Sequence, residues 1–169
     1  MSRNPPTRTA LGEPLSVRAL TAQPGEIEAL AEILDQYRVH YGEASDVSRS
    51  ARWLEQNLGT RRLRAFVAED STRFVGFAIT MEVPASLRLA HFWQIRDLFV
   101  LPTHRRIGVG RALLASVRAA AIVSGALRLV LQTEEDNDAA LRLYTDNGYT
   151  LINGYLSLML PMSPKARGS

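Results

Sequence analysis

Cysteine is absent from this 169-residue chain, lysine occurs once (Lys165), aromatic residues make up only 7%, and no internal repeat or low-complexity tract is visible. Without cysteine there can be no disulfide, no thiolate metal site and no cysteine nucleophile; a reducing compartment is the expected setting, and no metal is expected. No apolar run approaches the roughly 20 residues that span a bilayer. The stretch from Met1 to Gly12 is polar and lacks an apolar signal core, so a cytoplasmic protein with no membrane partner is expected. What the chain does contain is 46% hydrophobic residues, enough for the core of one domain.

Net charge is +3, but its distribution is more telling than its sum. From Ile95 to Arg118, five arginines (Arg96, Arg105, Arg106, Arg111, Arg118) stand against Asp97 alone, a balance of +4. From Leu131 to Asn147, five carboxylates stand against Arg142, a balance of −4. A basic pocket beside an acidic rim suits an anionic cofactor and a cationic acceptor. Glu134, Glu135, Asp136 and Asp138 would equally suit a helix start, where the macrodipole favours negative charge.

Periodicity divides the chain into a flexible lead-in (1–14), a single domain (15–162) and a disordered tail (163–169). Ser16 to Leu20 alternates as a strand. Ile27, Leu30, Ala31, Leu34 and Tyr37 then follow Pro24 at helical spacing. Asp46 or Ser48 is suited to cap a second helix closed by Gly59. Leu63 to Ala68 and Phe74 to Val83 read as paired strands, His91 to Val100 as a fourth, and Leu127 to Gln132 as a fifth. Helices are expected over Val109 to Val123 and Asp138 to Asp146, with one or two closing strands over Tyr149 to Leu160. The pattern predicts a mixed α/β sheet of six to seven strands flanked by about four helices, with a parallel strand–helix–strand crossover from His91 to Gln132. In such a sheet a ligand belongs at the carboxyl ends of the strands.

That position holds Leu98-Phe99-Val100-Leu101-Pro102-Thr103-His104-Arg105-Arg106-Ile107-Gly108-Val109-Gly110-Arg111, an apolar strand, a turn, and a glycine-punctuated helix start. Such a start leaves backbone N–H groups without partners and lets an anion such as a pyrophosphate approach them. A P-loop would need Gly-Lys-Ser/Thr, but Gly110 is followed by Arg111 and Ala112. A dinucleotide fingerprint would need a small residue where Leu113 stands. Nucleic-acid binding would need a basic stripe with interleaved aromatics, which the apolar helix after Arg111 lacks.

A second segment, Asn137 to Tyr149, sets Asn137, Ala140, Leu141 and Tyr144 on one helix face. Together, Arg-x-x-Gly-x-Gly and Asn-x-x-Ala-x-x-x-Tyr-x-x-x-Gly-Tyr resemble the coenzyme-binding motifs of the GNAT family of N-acetyltransferases, departing only in Tyr149, where the family has Phe. Phe92 to Val100 is similar to the subgroup related to yeast histone and polyamine acetyltransferases. The resemblance covers roughly Arg64 to Leu160. It implies a GNAT-like fold with acetyl-coenzyme A as co-substrate, bound by Leu98, Phe99, Val100, Arg105, Arg106, Ile107, Gly108, Val109, Gly110, Arg111, Asn137, Ala140 and Tyr144. The acceptor it implies is a small-molecule amine or a lysine-bearing peptide, on a side shaped by the first two helices with Tyr37, His40, Tyr41, Glu43 and Trp53.

Acetyl transfer to an amine needs a base, because an alkyl ammonium of pKa about 10.4 is neutral in only about one part in 2,500 at pH 7. The departing thiolate needs an acid. Tyr144 is the expected acid and Asp97 the expected base, with Glu82, His91 or ordered water as alternatives. A backbone N–H near Leu98 to Val100 is expected to meet the oxyanion. A non-catalytic coenzyme A sensor or partner-binding domain on the same fold is the alternative function, and the apolar alternation after Tyr149 leads us to expect a homodimer.

Overall fold

In the computed structural model, which describes residues 15–60, 63–71, 73–154, 156–160 and 162, the four expected helices and the first five expected strands appear in the expected order. The lead-in (1–14) and the tail (163–169) fall outside the described residues. Strand β1 (Ser16–Ala19) leads into helix α1 (Pro24–His40). The Glu26 carboxylate turns back on that helix start and accepts from the amides of Thr21 at 3.0 Å and Gln23 at 3.4 Å. Ile27, Leu30, Ala31 and Leu34 form the buried face of α1. Helix α2 (Val47–Leu58) is capped by Asp46, which accepts from the Arg49 amide at 2.8 Å. The α1–α2 connection is held by buried Asp35, which accepts from Ser45 Oγ (2.6 Å), the Asp46 amide (2.8 Å) and Arg38 Nη1 (3.0 Å).

Strands β2 (Arg64–Glu69), β3 (Phe74–Ala85), β4 (Ala90–Val100) and β5 (Leu129–Val130) complete a sheet in the order β1-β2-β3-β4-β5. Pairing is antiparallel through β4, and β4 and β5 are parallel, joined through helix α3 (Val109–Val123) as the crossover expectation requires. Helix α4 (Asp138–Asp146) follows β5. Helix α3 lies tight on the sheet: a Cβ on Gly76 would stand 3.2 Å from Val109 Cγ1 and 3.3 Å from Leu113 Cδ1. The opposite face carries Phe77 and Phe99, both in edge contact with Tyr37 of α1.

One irregularity decides which side chains reach which face. Ile79 pairs with Asp97 but Thr80 pairs with Ile95, so Arg96 is an extra residue, a bulge in β4. Because neighbouring residues of β3 face opposite sides, Ile95 falls on the α3 side and Asp97 on the α1 side, although they are two positions apart and regular alternation would put them on one face.

Two expectations about the sheet are corrected. The fifth strand spans two residues instead of six, and the closing strands over Tyr149 to Leu160 do not form, so the described sheet has five strands instead of six or seven. The physical reason is visible in exposure. Leu151, Leu156, Leu158 and Leu160 are 82–94% exposed, and among the described residues their segment pairs with no strand, so neither a ladder nor a packed face fixes their alternation.

Candidate active site

β4 and β5 pair only at Trp93 with Leu129 and Gln94 with Val130. Beyond that point the bulge turns β4 away, and residues 131–134 leave the sheet, so the two chains diverge. The opening is a cavity of about 360 Å³ lined by Tyr37 of α1 and Tyr41 just past its end, Ile95 to Leu98 of β4, Leu131 to Glu134, Asn137 at the cap of α4, and Ala140 and Tyr144 within it. This is the carboxyl end of the parallel pair, where sheet topology places a ligand. The Leu101 amide donates to Val75 O on the β3 side. By alternation, Leu98 and Val100 turn their amides to the other edge, towards the divergence.

Below that edge the chain bends into α3. Arg106 (φ +67°) and Gly108 (φ +91°) both take left-handed backbone, which only glycine adopts without strain. Among the described residues, the amides of Arg106, Ile107, Gly108, Val109, Gly110 and Arg111 donate to no acceptor, and no side chain caps α3. Six unbonded N–H groups at a helix start, with exposed Arg105, Arg106 and Arg111 in no ion pair among the described residues, gather donors and positive charge suited to an anion. Arg105 is partly committed to the bend itself: its Nε donates to Val100 O at 3.0 Å, and its guanidinium lies 5.7 Å from the Phe99 ring centre. Gly110 serves packing, since a Cβ there would meet Leu143 Cδ2 of α4 at 3.0 Å.

On the far side, Asn137 caps α4 by accepting from the Ala140 amide at 3.1 Å, leaving its Nδ2 as a donor for the cavity it lines. Tyr144 packs edge-on against Tyr149, and its hydroxyl has no hydrogen-bond partner among the described residues. Burial, with Tyr41 and Glu134 adding to it, pushes the Tyr144 phenol above the ordinary tyrosine value. Asp97 sits across the cavity and accepts from Tyr37 Oη at 3.0 Å. Burial raises the Asp97 carboxyl above the ordinary aspartate value, against the lowering effect of Tyr37 and Arg96.

The structure therefore brings Leu98, Asn137, Ala140 and Tyr144 together with Asp97 on one cavity, and sets the 105–111 bend beside the same strand. It does not bring in Glu82 or His91. They pair with each other at 3.9 Å towards the other end of β3 and β4, where Arg64 also reaches Glu82. Trp53 and Glu43 also fall outside the cavity lining; Glu43 lies 3.7 Å from Arg38. Sequence reasoning missed Glu134 as a lining residue and the bulge at Arg96. Neither leaves a local signal, because both depend on how strands pair and part. No group of three or more His, Asp or Glu suited to a metal occurs among the described residues.

Residues 27–149 match the Acetyltransferase (GNAT) family. The chain belongs to this family. It is 32% identical over 144 residues to an uncharacterized N-acetyltransferase, YhfO, of Bacillus subtilis (strain 168), covering 85% of this chain and 97% of that one. A crystal structure of a probable acetyltransferase superposes with TM-score 0.81 at 26% identity, covering 89% and 99% of the two chains. An aminoglycoside acetyltransferase from a soil metagenomic sample shares the fold at TM-score 0.72 and 17% identity, covering 88% and 97%. As a GNAT acetyltransferase, the protein is an acyltransferase on a mixed α/β sheet, and the cavity described above lies within the matched residues.

Proposed function

We propose that this acetyltransferase moves the acetyl group of acetyl-coenzyme A to a primary amine, on a small molecule or a protein lysine, by direct attack in a ternary complex. The observation that carries this reading is the run of six unbonded amides entering α3, beside a cleft that holds a carboxylate and a free phenol. The pyrophosphate belongs on the bend, with Ile107 to Gly110 supplying amides and Arg105, Arg106 and Arg111 supplying charge. The pantetheine arm then runs past Leu98, Phe99 and Val100 towards Asn137 and Ala140. Its thioester end falls near Tyr144.

Asp97 takes a proton from the acceptor ammonium, and the freed amine attacks the carbonyl carbon. The oxyanion is met by an amide of the Leu98 to Val100 edge, an interaction worth about 3 kcal/mol. Collapse breaks the carbon–sulfur bond, Tyr144 protonates the thiolate, the second nitrogen proton returns to the Tyr144 oxygen, and Asp97 releases the first to water, so the sum is amide, free thiol and one proton. The string Phe92 to Val100 supports a place near the histone and polyamine acetylating members of the family. Exposed Leu156, Leu158 and Leu160 support self-association through that segment.

Free-thiol release tests the reading. Acetyl-coenzyme A is supplied with polyamines, aminoglycosides, amino acids and lysine peptides in turn, and at least one amine is expected to accelerate release. Tight coenzyme A binding with no amine-dependent release anywhere in the panel would favour a sensor instead.

A further inference from the structure

Asp97 is held by one contact. The Tyr37 ring is clamped edge-on between Phe77 at 5.8 Å, Phe99 at 5.6 Å and Tyr41 at 5.0 Å, so its hydroxyl has little freedom to turn away from the carboxylate. That hydroxyl meets Oδ1 at 3.0 Å, and Oδ2 has no partner among the described residues. The other groups around Asp97 are few. Tyr41, just past the end of α1, stands beside Tyr37, Arg96 precedes Asp97 on its own strand, Glu134 and Tyr144 line the cavity beyond β5, and the β3 partner Ile79 is apolar. Asp97 takes part in no ion pair among the described residues.

We infer that Tyr37 is the positioning residue of the acceptor base: by donating to Oδ1 it fixes the Asp97 carboxylate so that Oδ2 alone faces the incoming ammonium. The inference rests on the proposed role of Asp97. The contact divides two tasks between two oxygens. Oδ1 receives a fixed donor, which favours the charged form of the half-buried carboxylate against its burial, and Oδ2 keeps its lone pairs for the proton of the acceptor. Tyr37 retains its own proton throughout, because burial and the adjoining Asp97 push its ionisation far above the working range. It neither gives nor takes a proton in the reaction. Helix α1 is thereby tied to the chemistry through one side chain, with its ring in the core and its oxygen on the base.

Tyr37→Phe keeps the ring and removes the donor. The acid limb of kcat/KM against pH is expected to move upward by about one unit, because the carboxylate loses the bond that favours its charged form. The Asp97 carboxyl carbon, followed by NMR titration in the protein itself, is expected to move by the same amount. The Tyr37→Phe/Asp97→Asn double variant is expected to match Asp97→Asn alone, since a positioning residue has nothing left to position. An unmoved NMR titration, or additive losses in the double variant, would overturn the inference. If Asp97→Asn leaves the rate intact, the proposed base is wrong, and the NMR titration still decides whether Tyr37 holds the carboxylate.

Discussion

Tyr144 offers the cavity a phenol that burial keeps protonated, with no partner to share its proton. Tyr144→Phe is expected to lower kcat by about 100-fold or more while the affinity for coenzyme A, measured by calorimetry, stays nearly constant. The basic limb of the wild-type pH profile, in so far as Tyr144 sets it, is expected above the ordinary tyrosine range, because the raised value delays loss of the acid form. Asp35 shows the opposite displacement for a structural purpose. The Ser45 hydroxyl beside it, with the Asp46 amide and Arg38, holds its carboxyl below the usual range against the effect of burial. A depressed folded value adds stability above the unfolded value of about 3.9, and that contribution is lost as pH falls through the folded value. Asp35→Ala is accordingly expected to lower unfolding free energy at pH 7 by about 3 kcal/mol in urea titrations, and to narrow the gap from wild type in acid.

Two glycines of one motif do different work at the level of elements. Gly108 (φ +91°) makes the turn that points amides outward, whereas Gly110 makes room for Leu143 so that α3 and α4 can approach. Gly108→Ala is expected to cost about 1–2 kcal/mol from left-handed strain and to weaken coenzyme A binding. Gly110→Ala, whose new methyl meets only the tip of a flexible leucine, is expected to cost less than about 1 kcal/mol by the same unfolding assay. The spacing of the motif was legible in the sequence, and this division of labour was not, since it depends on backbone angles and on a neighbour 33 positions away. The helices and first four strands were legible because each carries its own period. The short β5 and the missing closing strands were misread because alternation records a capacity to pair and is silent about whether an edge is within reach. The bulge at Arg96 has no sequence mark at all, yet it decides that Asp97 faces α1.

Across the whole molecule, the proposed function divides donor, acceptor and assembly among the sheet, the two helix layers and the exposed segment after Tyr149. If Leu156, Leu158 and Leu160 meet a second copy, light scattering is expected to give a dimer mass, and their joint replacement by serine is expected to return a monomer with unchanged circular dichroism. In the proposed function the diphosphate of the donor is held by the bend, and it is there that the functional reading is most exposed. The decisive measurement is a calorimetric titration of coenzyme A into wild-type protein and into Gly108→Glu, which sets a carboxylate among the six free amides. Wild-type binding with a dissociation constant on the order of micromolar, lost in a variant that still melts cooperatively, is the expected result. Equal affinity in both proteins would contradict a diphosphate seated on this bend.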